Sequence, residues 1–315
     1  GLFVSFCTDH LVDPTLSQPE AELMLFKSNE EMLRVMMNYL VLILIALIFV
    51  FPIVFMIVSS LKPDMQLLRD SSSLRAFLPV GDISLNNYSA AFDRVPIFRF
   101  ILNSIFVTAV TLVFCLFLCS MAGFAFVFLD WWGRTIWMSI ILATFIIPFE
   151  SIAVPLLLLV NNLPWIGSEG IEIGWLNSYH VQIIPWIADA LTIYLFVQYF
   201  KEFPKELMEA ARVDGASWFE IYLRIILPLS GPILATAAIL KFIVMYNNQF
   251  LWPLMVAQSE SYRPIMMGLQ YFFQLNTAWG EIMAYLTTLT LPVLLFYLSL
   301  QKAFISSIAS TGVKG

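Results

Sequence analysis

Glu150, Asp189 and Lys241 are ionisable residues set inside long apolar runs. A charge in hydrocarbon costs a few kcal/mol at the least, so each needs a partner or water. Such groups can hydrogen-bond a polar solute, relay a proton, or pair for structural reasons, and the residues alone leave these roles open. Asn247, Asn248 and Gln249 lie beside Phe250 and Trp252. Amides next to aromatic rings suit a sugar, which offers hydroxyls and an apolar ring face; rings in such a run also serve as packing. Cys115 and Cys119 share one helix face, Cys7 stands alone, and His10 and His180 have no ligand cluster near them. No disulfide framework or metal site follows. The chain has no G-x-x-x-x-G-K-S/T phosphate loop and no nucleophile elbow, so it is expected to bind no cofactor and catalyse no reaction by itself.

A different chemistry, that of docking, is written in residues 203–228. Pro204 fits the start of a helix, where its missing N–H costs nothing. A short helix to about Val213 puts Leu207, Ala210 and Ala211 on one face and Lys205, Glu209 and Arg212 on another. Asp214-Gly215 ends it, with glycine supplying a positive φ. Ser217 and Glu220 have capping-box spacing for a second helix running into Ile225, Leu227 and Pro228. Small alanines at the bend would let another protein approach closely. An amphipathic hairpin lying on a membrane surface fits equally well.

These residues need a scaffold. Of the 315 residues 60% are apolar and 12% charged, against roughly 45–50% and 25% in soluble domains. Sixteen basic against 22 acidic residues give a net charge of −6. That balance excludes an ordinary soluble enzyme, a disordered chain and a nucleic-acid binder. The expected class is an all-α polytopic membrane protein with six transmembrane helices, at about 35–61, 100–129, 135–160, 182–200, 232–256 and 282–300. Residues 1–34 form an N-terminal tail, with no signal-peptide core before Arg34 and a capping box at Ser28–Glu31 that starts a helix leading into the first span. Residues 62–99 and 161–181 are expected to be loops, and 303–315 a C-terminal tail. The segment 201–224 carries four basic residues and 161–181 none. The positive-inside rule therefore places the hairpin, the 130–134 connection and both termini in the cytoplasm.

The string Glu209-Ala210-Ala211, three residues, Gly215, nine residues, Ile225-x-Leu227-Pro228 resembles the EAA motif of permease subunits of bacterial ABC importers. "SSLKPD" after the first span, "LNSIFVTAV", "YNNQFLWPL", "AWGEIMA" and the terminal "STGVKG" are similar to the carbohydrate-uptake, maltose-type permeases with six spans. The likeness covers about 36–315. The chain departs from the family pattern at Asp130, at Glu150 and in a long 161–175 loop.

The resemblance implies a type I ABC importer permease fold in the bacterial cytoplasmic membrane. It implies a second permease of similar fold, a cytoplasmic ATPase dimer that binds ATP and Mg and receives the hairpin, and an external solute-binding protein. Gly312, Lys314 and Gly315 would reach toward the ATPase. The solute would be a sugar or sugar-like osmolyte. A glycerol phosphate ranks last, because Lys241 is the one cation available to a cavity. An ion-coupled transporter using Glu150 and Asp189 is the alternative, and it would need no such hairpin.

Overall fold

In hydrocarbon every backbone N–H and C=O must be satisfied within the chain, so long apolar runs become helices. A computed structural model describes residues 18–167, 170–247, 250–273 and 277–312. The first helix, α1 (Gln18–Ser60), runs without a break through Ser28–Glu31 and through Pro52. The expected capping box there does not start a helix: the run of good helix formers from Glu20 to Leu25 carries the helix through it. Side chains from 32 to 54 are exposed on the isolated chain, as suits a surface facing lipid or another protein.

The 62–99 loop is built, not open. It holds α2 (Asp64–Asp70), a 3-10 turn at Leu74–Phe77 and α3 (Asn86–Arg94). The Lys62 ammonium, fully buried, donates to Asp70 Oδ2 at 3.1 Å and to the Arg75 carbonyl at 2.5 Å.

The central element is α4 (Ile97–Phe128), which packs on α8 (Ala190–Phe200) and α11 (Gly231–Asn247); α11 in turn packs on α13 (Trp279–Gly312). Gly123 allows the close approach of α4 and α8, since a methyl group there would lie 2.7 Å from Phe196 Cβ. Two apolar clusters mark the ends of this bundle. One gathers Phe124, Phe196, Phe200, Tyr222 and Ile226; the other gathers Ile97, Phe100, Tyr246, Phe272 and Tyr285.

Three expected spans are broken. The run at 135–160 divides into α5 (Arg134–Thr144) and α6 (Phe149–Asn162), bent by 101°, with Pro148 in an extended conformation at the start of α6, where its missing N–H interrupts no helical bond. The fourth breaks by 41° between α7 (His180–Ile183, prolonged by a 3-10 turn to Trp186) and α8, where Asp189 starts a new helix. The fifth does not extend to Val256: α11 ends at Asn247 and a separate α12 (Leu251–Val256) follows. The sixth lies in α13, whose apolar, span-length part is Trp279–Gln301 and whose helix continues to Gly312. The 161–181 loop contains an antiparallel hairpin, β1 (Pro164–Gly167) with β2 (Gly170–Ile173), a small exception to an otherwise helical chain. Trp165 stacks on His180 at 3.8 Å and anchors it.

Candidate functional site: a projecting hairpin and a buried ion pair

The hairpin consists of α9 (Lys205–Val213) and α10 (Trp218–Leu229). Pro204 stands just before α9. At its far end Gly215 has φ +86°, the left-handed conformation that glycine adopts without strain. The Ala216 N–H donates to the Ala211 carbonyl at 3.0 Å and the Gly215 N–H to that of Arg212 at 3.1 Å, which satisfies the last carbonyls of the helix. Ser217 then caps α10: its Oγ accepts from the Glu220 N–H at 3.3 Å, and its own N–H donates to the Glu220 carboxylate at 2.9 Å. The turn and the capping box are therefore as the spacing predicts.

Met208 is the residue of α9 buried in the core cluster, and Ala211, half-buried, packs against that cluster, whereas Leu207, Glu209, Ala210, Asp214 and Gly215 are exposed. The 3.6-residue period puts Met208 in register with Ala211, and both pack into the cluster that holds Phe200 and Tyr222. Ile225 and Leu227 pack on the same cluster, and Pro228 is exposed. Arg212, exposed like Lys205 and Glu209, bonds the Ala216 carbonyl at 2.8 Å and lies 5.0 Å over the Trp218 ring, bracing one arm against the other. Sequence spacing signals charge pairs, not a cation held by a turn, so this contact was missed. A π-turn at Tyr222–Ile226 and then Pro228 re-aim α10 before the 78° bend into α11.

Of the residues expected to line a cavity, the fold brings two together. Lys241 Nζ donates to Asp189 Oδ2 at 2.7 Å. The same carboxylate caps α8, accepting from the Thr192 N–H at 2.9 Å and the Thr192 hydroxyl at 3.0 Å, with the Cys115 thiol 3.6 Å away. The two charges are therefore paired with each other in this conformation. Glu150 is not among these partners. It is exposed in the first turn of α6, just past the 101° bend. Trp252 does not face a cavity in this conformation: it is buried, its Nε1 donates to the Val181 carbonyl at 2.9 Å, and it packs edge-on against Phe149. Asn247 ends α11; Asn248, Gln249, Lys314 and Gly315 lie outside the described residues, and Gly312 is the last residue of α13. A polar set that the sequence did not signal holds the 257–264 segment in place. Asn103 donates to the Ser261 and Arg263 carbonyls at 2.9 Å each, and the Tyr179 hydroxyl donates to Asn103 at 2.8 Å.

A bundle of bent apolar helices of span length with an exposed hairpin at one end defines a helical membrane-embedded protein. Residues 116–310 match the family described as "binding-protein-dependent transport system inner membrane component", and the chain belongs to this family of ABC importer permeases, within its carbohydrate-uptake group. It is 33% identical over 276 residues to the arabinooligosaccharides transport system permease protein of Halalkalibacterium halodurans, covering 86% of this chain and 93% of that one. It is 28% identical over 293 residues to the trehalose/maltose transport system permease protein of Thermococcus litoralis, covering 91% and 99%. The sn-glycerol-3-phosphate transport system permease protein of Brucella abortus is 29% identical over 286 residues, covering 88% and 96%. A crystal structure of a bacterial ABC transporter involved in import of the acidic polysaccharide alginate has a chain with the same fold, with a TM-score of 0.70 at 22% identity over 93% of this chain and 100% of that one.

Proposed function

We propose that this chain is half of the pore of an ATP-driven sugar importer and that the α9–α10 hairpin joins it to a cytoplasmic ATPase. The carrying observation is the build of the hairpin. Its tip and the side chains of Glu209 and Ala210 point outward, while Met208, Ala211, Ile221 and Ile226 tie its base to the core cluster. A rigid body fixed to the spans at one end and exposed at the other transmits displacement, which is what coupling requires. The partners are a second permease of similar fold, an ATPase dimer holding ATP and Mg, and an external solute-binding protein. The hairpin and both termini are cytoplasmic in this reading, and Gly312, Lys314 and Gly315 contact the ATPase. Hydrolysis belongs to that partner.

For the solute, a neutral saccharide is favoured over a phosphate ester. Lys241, the cation available to a cavity, already has its charge balanced by Asp189. Glu150, Asn247, Asn248 and Gln249 remain the candidate solute contacts of this chain. The ion-coupled alternative is disfavoured, since Asp189 is held by Lys241 and Thr192 and Glu150 is not among its partners.

The test uses the assembled transporter with Gly215→Val or Glu209→Lys. Around Gly215 there is open space, so a side chain there is opposed by the positive φ, at about 1–2 kcal/mol, and by whatever docks on it. Both variants should insert and assemble with the second permease, retain less ATPase on purification and lose uptake. Normal uptake with fully retained ATPase in both would remove the hairpin as the coupling element.

A further inference from the structure

The end of the bundle beside the hairpin holds a cleft of about 380 Å³ that coupling does not use. It lies where three helices end or begin: the last turn of α4, the first turns of α5 and the last turn of α8. Its walls are mostly apolar, with Phe126, Met138 and Val197 among them, and include the hydroxyl residues Thr135 and Ser139. Its rim carries Arg134, Lys201 and Lys205, and no acidic residue lines it. Of the other clefts, those at Arg69 and Arg75 and at Arg224 are lined by carboxylates as well, from Asp70 and Asp82 and from Asp214 and Glu220, and the one at Arg99 has a single cation and no carboxylate. Arg134 is 2.9 Å from Asp130, whose side chain is almost wholly exposed. Lys201 and Lys205 have no ion pair among the described residues. Trp131 and Trp132, in the connection that leads into Arg134, mark this end as a membrane boundary, where indole rings prefer to lie.

An apolar slot between helix ends, opening at a boundary onto three cations, matches one amphiphile: a phospholipid with a net negative headgroup. We infer that this cleft binds an anionic phospholipid, its phosphate among Arg134, Lys201 and Lys205 and an acyl chain along Phe126, Met138 and Val197. Basic pockets between membrane helices recognise anionic headgroups through charge and through the hydrogen bonds of guanidinium and ammonium groups. Lys205 is the first residue of α9, so the bound headgroup ties the base of the hairpin to the membrane plane. The inference requires only that the chain sit in a membrane, and it does not depend on the coupling role of the hairpin.

The experiment is native mass spectrometry of the full transporter, ATPase included, released from membranes containing phosphatidylglycerol and phosphatidylethanolamine. The parent should carry phosphatidylglycerol in preference to phosphatidylethanolamine through detergent washing. Lys201→Gln combined with Lys205→Gln removes the cations, and Met138→Trp fills the slot but leaves them in place. Each should lower retained phosphatidylglycerol about tenfold, and Arg224→Gln, a cation of the same face outside the cleft, should leave it unchanged. If the double variant does not assemble, Met138→Trp decides. The site is overturned by parental retention in either cleft variant, by equal retention of the zwitterionic lipid, or by a lipid present on the permease pair and expelled once the ATPase docks, which would make the cleft a protein contact.

Discussion

Two buried lysines show how a charge is tolerated in this molecule. Breaking a buried pair from one side leaves an uncompensated charge and typically costs about 3–5 kcal/mol, whereas replacing both partners with apolar groups is often neutral. Asp189→Asn should therefore lower the melting temperature of the purified protein sharply, and adding Lys241→Met should recover most of the loss. A single variant that melts like the parent would show that the pair is not structural. Lys62 and Asp70 make the parallel case outside the spans. The Lys62 hydrogen bond holds the Asp70 carboxyl below its usual range. The folded state therefore binds fewer protons than the unfolded one in that window, and stability rises with pH across it. The contribution is fully present above the ordinary aspartate pKa of about 3.9 and is lost as pH falls through the lowered folded value. Proteolysis of the 62–99 segment should be unchanged from pH 7 to 5 and accelerate only below about 4. In Asp70→Asn that acid step should disappear and cleavage should be fast at every pH.

At the scale of elements, close helix approach decides which segments can touch. The α4–α8 contact depends on the missing side chain of Gly123. Gly123→Ala places a methyl group 2.7 Å from Phe196 Cβ, well inside the 3.5–4.0 Å optimum. Overpacking of this kind costs about 1–3 kcal/mol. Thermal unfolding should reveal the loss, and Phe196→Ala in the same chain should relieve part of it. Independent, additive effects of the two changes would mean that the helices do not meet there. The hairpin is held differently, by local bonds. Ser217→Ala removes the cap of α10 at about 1 kcal/mol. Hydrogen exchange should quicken at the Glu220 amide, with little change in the buried turns of α4.

Over the whole molecule, the proposed cytoplasmic position of the hairpin puts it on the opposite side of the membrane from the 161–181 segment. In a chain with Cys7, Cys115 and Cys119 replaced by alanine, Ala210→Cys on the hairpin and Ile171→Cys on β2 are both exposed sites. An impermeant thiol reagent added to intact cells should label position 171 and spare 210. Labelling of 210 from outside would invert the topology and with it the route to the ATPase. The bends matter at this scale too. Pro148 and Asp189 each begin a half-helix inside a stretch that composition alone reads as continuous, and broken spans are tolerated only where neighbouring protein satisfies the freed backbone groups.

The sequence by itself determined the class, because 60% apolar composition and six uncharged or nearly uncharged runs leave helices in a membrane as the physical solution. It also determined the hairpin, since its turn and cap are local: Gly215 and the Ser217–Glu220 pair act within a few residues of themselves. What depends on neighbours distant in the chain was decided by tertiary structure alone. Hydropathy reports how apolar a run is and carries no record of direction, so the 101° bend after Thr144 and the end of α11 at Asn247 were invisible to it. The partner of Asp189 lies 52 residues away, and periodicity cannot choose between a cavity and a salt bridge at that range. Met208 is buried and Leu207 exposed because the core cluster of α4, α8 and α10 stands on one side of α9, and that side exists only once the helices have packed.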